Sequence, residues 1–177
     1  MHLKLAHEYW KELLRPGDLA VDMTVGNGHD TLVLAQLLPE GQVIGFDIQE
    51  QAIEATRKRV AGYDVQLIHG SHTQLKNTKL PCPPRLVVYN LGYLPGGNKS
   101  ITTMTEITLE SLDIALKLVS ADGAISVMCY PGHEEGKREY EAVLSWVKTL
   151  NGVEVKHHPG SERRPSLVWV RKYLKRL

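Results

Sequence analysis

Apolar residues at positions 3, 5, 9 and 10, and 13 and 14 recur at the spacing of one helix face, and Arg15, Pro16 and Gly17 close that segment. The pattern then changes period. Short β-rich runs occupy 19–23, 43–48, 65–69, 85–90, 123–129, 152–157 and 167–173. Between the first six lie helical stretches at 29–38, 50–61, 101–119 and 133–149, with a short one within 71–78. No internal repeat or low-complexity linker interrupts the alternation.

Strand and helix alternating at this length predict a parallel sheet with helices on both faces, because parallel neighbours need a crossover of fixed hand. About nine residues separate the sixth run from the seventh, too few for a helical crossover, so those two are expected to pair antiparallel. Seven strands with a terminal antiparallel hairpin resemble the Rossmann-like architecture of class I S-adenosylmethionine (SAM) methyltransferases, which implies the order 3-2-1-4-5-7-6. A chain of 177 residues suits one domain, 1–177, with a sizeable core.

The remaining bulk features narrow the class. "MHLKLAHEYWKELL" scatters charge through its apolar positions, and no apolar run approaches bilayer length, so a cytoplasmic protein with no membrane partner is expected. Cys82 and Cys129 lack any CxxC spacing, which points to two buried or idle thiols. The formal charge of +1 hides an asymmetry: residues 156–177 carry seven Lys or Arg against Glu162 alone. The other 155 residues are therefore mildly acidic. A basic end of this kind suits either a solvated edge strand and tail or contact with a polyanion.

"DMTVGNGHDT", residues 22–31, joins the first strand to the second helix. Gly26 and Gly28 permit a tight turn and close approach of backbone to ligand, and the helix start offers free N–H groups. Asp47 ends the next strand, 19 residues after Gly28, where a carboxylate accepts hydrogen bonds from ribose hydroxyls. The third glycine of GxGxxG is absent, with Thr31 in its place, and Asp22 and Asp30 would repel a pyrophosphate. Both acids suit SAM, whose sulphonium and ammonium groups are cationic. Asp30 and Thr31 also qualify as simple helix caps, whereas Asp22, ending an apolar strand, needs a partner. "HGSH" follows the third strand; Ser71 and His72 stand where this fold edges adenine. His69 and His72 are spaced for a metal but have no companion ligand, so no metal is expected.

"NLGYLPGG", residues 90–97, follows the fourth strand, beyond whose carboxyl end open α/β sheets bind ligands. An amine accepts a methyl group only through an unprotonated lone pair, yet an alkylamine is mostly protonated at neutral pH. The carbonyl of Asn90 would accept N–H bonds and aim that lone pair, Tyr93 would stack on a base or exclude water, and Gly92 would let a bulky substrate approach. The segment resembles the (D/N)PPY loop of amino-group methyltransferases, with Leu91 and Gly92 in place of the two prolines. A glycine-rich turn bent by its asparagine is the alternative. His133 in "YPGHEEGK" would orient substrate, shuttle a proton, or merely start a helix. Arg163 and Arg164, between the last two strands, are expected at the same edge as phosphate contacts.

These four segments, "DMTVGNGHDT", "FDIQ", "NLGYLPGG" with "KSITT" after it, and "YPGHEEGK", resemble in order the motifs of the YtqB/MnmM family of bacterial class I SAM methyltransferases. The likeness runs from about residue 5 to the C-terminus. It implies N-methylation of the 5-aminomethyl group on the wobble (2-thio)uridine of tRNA, and therefore a tRNA anticodon stem-loop as partner. It places Asp22, Gly26, Asn27, Gly28, Asp30, Thr31, Asp47, Ile48, Ser71 and His72 around SAM, and Asn90, Gly92, Tyr93 and Leu94 at the target amine. "PGSERRPS" stands where the family has an Asn- and Pro-rich loop. A ribosomal RNA or small-amine methyltransferase and a non-catalytic SAM- or RNA-binding module are the alternatives, and a homodimer is compatible with the chain.

Overall fold

Seven strands form one sheet in the order β3-β2-β1-β4-β5-β7-β6. The coordinates are a computed structural model, and they describe residues 1–92 and 96–173. In chain order the elements are α1 (His2–Leu13), β1 (Leu19–Asp22), α2 (His29–Leu37), β2 (Gln42–Asp47), α3 (Glu50–Arg59), β3 (Val65–His69), a 3-10 turn (His72–Asn77), β4 (Leu86–Asn90), α4 (Thr105–Leu118), β5 (Ala124–Cys129), α5 (Glu134–Val147), β6 (Val153–His158) and β7 (Ser166–Lys172). Pairing is parallel from β3 through β5, and β7 runs antiparallel to both β5 and β6. The directions are those expected from the alternation of periods and the short last connection, and the order is the one that the resemblance to class I methyltransferases implied.

Because strands alternate their side chains, each central strand feeds two cores. Leu86 and Val88 of β4, Ala124 and Met128 of β5, and Leu167 and Trp169 of β7 pack with Ala6, Trp10 and Leu13 of α1 and Leu34 and Ala35 of α2. Val87 and Tyr89, Ile125, Val127 and Cys129, and Val168 and Val170 face the other way, onto Leu112 and Ala115 of α4 and Val143 and Trp146 of α5. The i, i+4, i+7 burial of Ala6, Trp10 and Leu13 is what fixes α1 to the sheet.

One helix starts later than its apolar pattern. The stretch 101–119 becomes helical only at Thr105, because Thr103 is drawn back to Gly92 by two hydrogen bonds: Thr103 N donates to Gly92 O (3.0 Å), and Gly92 N donates to Thr103 Oγ1 (2.9 Å). Glu135 of α5 then caps α4, accepting from Thr105 N (3.0 Å) and Thr105 Oγ1 (2.8 Å). A cap supplied by another helix leaves no local signal. Of the two thiols, Cys129 is buried and Cys82 is exposed, and neither forms a disulfide. Among the described residues, no helix is long and apolar enough to cross a membrane.

Candidate active site

The carboxyl ends of the parallel strands put Asp22, Asp47 and Asn90 on one edge of the sheet. Asp22 is fully buried there, and Thr31 is the partner it requires: Thr31 Oγ1 donates to Oδ2 (2.8 Å), while Thr24 N donates to Oδ1 (3.1 Å). Burial, and next the charge of Asp30, push its carboxyl up to about 7, against the opposing hydrogen bonds and with a smaller push from Asp47. Crowded acids of this kind favour a cationic ligand.

Asp47 organises the neighbouring loop. Gly26 N donates to its Oδ2 (3.0 Å) and Gln49 N to its Oδ1 (2.9 Å), yet burial still holds its carboxyl above the usual range. Asn27 O accepts from Arg59 Nε (2.8 Å), tying the loop to α3. Gly28 makes the expected tight turn at φ +82°, and a Cβ there would lie 2.9 Å from Thr56 Cα and 2.8 Å from Thr56 Oγ1, so its bareness also admits α3. Ile48, next to Asp47, is 52% exposed, an apolar side chain left open at the rim.

Asp30 and Thr31 do not cap α2. Its cap position is Gly28, with no side-chain bond. Thr31 instead serves Asp22, and Asp30 bridges two elements: Oδ1 meets His7 Nε2 of α1 (2.8 Å), and Oδ2 accepts from Asn90 Nδ2 of β4 (3.1 Å). An ionised carboxylate only accepts, so this contact identifies which end of the Asn90 carboxamide is the NH2. The same side chain hydrogen-bonds to the Tyr130 phenol, which burial and Asp30 hold above its ordinary range. Asn90 N donates to Thr24 Oγ1 (2.7 Å), fixing the backbone beneath. With the amide nitrogen so engaged, Oδ1 is the acceptor end presented by a locked side chain.

The outlying candidates divide. Gly92 adopts φ +131° with open space where a Cβ would stand, and its bonds to Thr103 lead on to the buried Glu139, which accepts from Thr103 Oγ1 (2.7 Å) and from Thr108 Oγ1. The loop after β4 is thereby anchored to α5. Tyr93 and Leu94 lie outside the described residues. His133 is the N-cap of α5, its Nδ1 accepting from Gly136 N (3.1 Å), which is the helix-start alternative. Ser71 caps the 3-10 turn by accepting from Thr73 N (3.3 Å). His72 is buried edge-on to Tyr89 at 5.8 Å, and burial lowers its imidazole to about 4, so it is neutral. His69 donates from Nε2 to Ile48 O (2.9 Å). Among the described residues no group of three His, Cys, Asp or Glu is placed to hold a metal.

The basic end of the chain separates in space. Arg171 pairs with Asp122 (2.8 Å) and Lys172 Nζ donates to Val119 O (2.9 Å), both at the far end of β7. Arg163 and Arg164 are exposed on the β6–β7 loop, whose Glu162 backbone packs against Gly132 beyond β5. That loop and Met1–His2 line a hollow of about 570 Å³ that includes Arg164. Local spacing gave no sign of His7, Tyr130 or Glu139. Only Tyr130 and Glu139 stood in or near a quoted motif, and His7 arrives from α1 through topology alone.

Comparison with known proteins bears on the family and the fold. The chain is 35% identical over 158 residues, 79% of its length, to the chloroplastic tRNA (mnm(5)s(2)U34)-methyltransferase of Arabidopsis thaliana, and it spans 56% of that protein. A crystal structure of a "putative rRNA-methylase" from Clostridium thermocellum superposes with a TM-score of 0.90 at 37% identity, covering 96% of both chains. A "putative methyltransferase" from Streptococcus mutans in complex with SAH gives 0.85 at 31%, covering 96% of this chain and 97% of that one. The fold is that of class I methyltransferases. A family model matches residues 43–161, more than half of the chain, which therefore belongs to the family described as "Putative rRNA methylase".

Proposed function

We propose that the chain is a SAM-dependent methyltransferase that N-methylates the 5-aminomethyl group of the wobble (2-thio)uridine in tRNA. The donor set supports SAM: Asp22, Asp30 and Asp47 crowd one rim, where burial and the charge of Asp30 push Asp22 up to about 7, and a cationic ligand would relieve that crowding. Asp47 would hold the ribose hydroxyls, Ile48, Ser71 and His72 the adenine, and Gly26, Asn27, Gly28 and Thr31 the loop beneath, with Asp22 and Asp30 toward the cationic end. When bound, SAM supplies an electrophilic methyl group on a positive sulphur.

Asn90 carries the reading. Its amide nitrogen is committed to Asp30 and its side chain also engages Tyr130, so the carbonyl oxygen is held as an acceptor for an amine N–H, which turns the lone pair toward the methyl donor. Arg163 and Arg164, exposed on the β6–β7 loop, suit the phosphates of an anticodon stem. The 35% identity to a tRNA methyltransferase favours that RNA, and the family's description keeps ribosomal RNA as a second reading.

The test is to incubate the protein with SAM and tRNA bearing unmethylated aminomethyl-uridine, then weigh the digested nucleosides. One added methyl on that nucleoside is expected, and Asn90→Ala is expected to lose turnover much more than SAM affinity. Methylation of ribosomal RNA alone would select the second reading.

A further inference from the structure

The reaction just proposed releases a proton that Asn90 cannot take. Transfer to an alkylammonium is impossible until nitrogen gives up one hydrogen, and a carboxamide is not a base at neutral pH. Several groups near Asn90 are unsuited to receive it. Asp22 is fully buried, with no face open to a substrate amine. Tyr130 is held above its ordinary range as a neutral phenol, and His72 stands behind Tyr89. His133 Nδ1 is occupied by Gly136 N.

We propose that Asp30 is the base that deprotonates the target amine, and that His7 is the positioning residue that holds it. The inference rests on the amine-methylating reading above. Asp30 touches the amine-orienting side chain at 3.1 Å through Oδ2, and His7 Nε2 fastens Oδ1 at 2.8 Å, fixing the rotation of the carboxylate. His7 is itself set by the ring of Trp10 at 4.7 Å on a helix buried through Ala6, Trp10 and Leu13. Asp30 is 15% exposed and His7 28%, which leaves a route to water. Asp22 and Asp30 repel one another, and a proton on Asp30 relieves that repulsion.

The step balances. R–CH2–NH3+ passes one proton to the Asp30 carboxylate, giving R–CH2–NH2 and a carboxylic acid. The nitrogen lone pair then forms the N–CH3 bond as the C–S bond breaks, and the bonding pair stays on sulphur. The products are a secondary ammonium and a neutral thioether, and Asp30 returns its proton to water. A neutral His7 donating from Nε2 leaves the carboxylate basic. A protonated His7 forms a full ion pair with it and withholds it from the amine, so turnover should fall on the acid side as His7 protonates. The groups facing this pair are Asp22 from β1, Asn90 from β4 and Tyr130 beyond β5, with Asp47 of β2 further off.

Four proteins decide it: wild type, Asp30→Asn, His7→Ala and His7→Gln, each assayed on the unmethylated tRNA from about pH 5.5 to 9, the range in which an imidazole changes charge. Asp30→Asn should lower kcat by about 10²-fold or more. His7→Ala should lower it less, and His7→Gln, which keeps an N–H donor, should recover most of that loss while its acid limb moves to lower pH. Independently of turnover, NMR titration of the His7 imidazole in the protein without SAM should show its midpoint falling in Asp30→Asn. Asp30→Asn turning over within about threefold of wild type, an acid limb unmoved in His7→Gln, or a His7 midpoint indifferent to Asp30 would each overturn the assignment while leaving wild-type methylation, and so the proposed function, standing. A wild-type protein inactive on that tRNA would overturn the functional reading and the base with it.

Discussion

Asp22→Asn should stabilise the protein while impairing its site, and the size of the gain follows from where the carboxyl sits. An aspartate in the unfolded chain ionises at 3.8, whereas burial and Asp30 push Asp22 up to about 7. The folded state therefore keeps a proton that the unfolded state has lost between those values. Stability falls as pH rises through that window, and above pH 7 the loss reaches about 4 kcal/mol. Asparagine has nothing to ionise. Its Oδ1 can still accept from Thr24 N, and its Nδ2 can donate to Thr31 Oγ1 once that hydroxyl turns, so both hydrogen bonds survive, the second in a reversed sense. After some loss of geometry, the variant should exceed wild type by about 2 to 4 kcal/mol at about pH 8, roughly 5 to 12 °C in Tm for a chain of this size, and match it near pH 4. Urea unfolding at about pH 4, 6 and 8 reads the trend, and calorimetry at the highest of these should show SAM binding weakened at least about tenfold. A stability gain in Asp22→Asn that does not grow with pH, or a variant less stable than wild type on the alkaline side, refutes the electrostatic account of this site.

Two further outcomes test the loop around it. Gly28→Ala should destabilise by about 2 kcal/mol or more, since the added Cβ meets Thr56 backbone at 2.9 Å in a left-handed conformation; a denaturation midpoint equal to wild type would show that α3 yields freely. Asp47→Ala should weaken SAM binding by about 1 to 3 kcal/mol through lost hydrogen bonds, and unchanged calorimetric affinity would remove Asp47 from the ribose.

The elements and their directions were legible because the period of the apolar residues changes sharply between them, and because about nine residues cannot cross over between parallel neighbours, while the strand order came from the resemblance to class I methyltransferases. The candidate site was legible where strand ends carry it. Gly26, Asp47 and Asn90 each end or follow a strand, and a parallel sheet brings such ends to one edge whatever lies between. Asp30 shows where that reasoning stops. Two residues past Gly28, at the first turn of a helix, its local position suggests a cap, and local position is all that spacing encodes. Its actual partners lie 23 residues before and 60 residues after it. They meet because Trp10 and Leu13 must be buried against the same sheet face as Leu34. Burial on one side of α1 therefore turns His7 toward α2, and an apolar stripe with no chemistry of its own decides which side chain reaches the carboxylate.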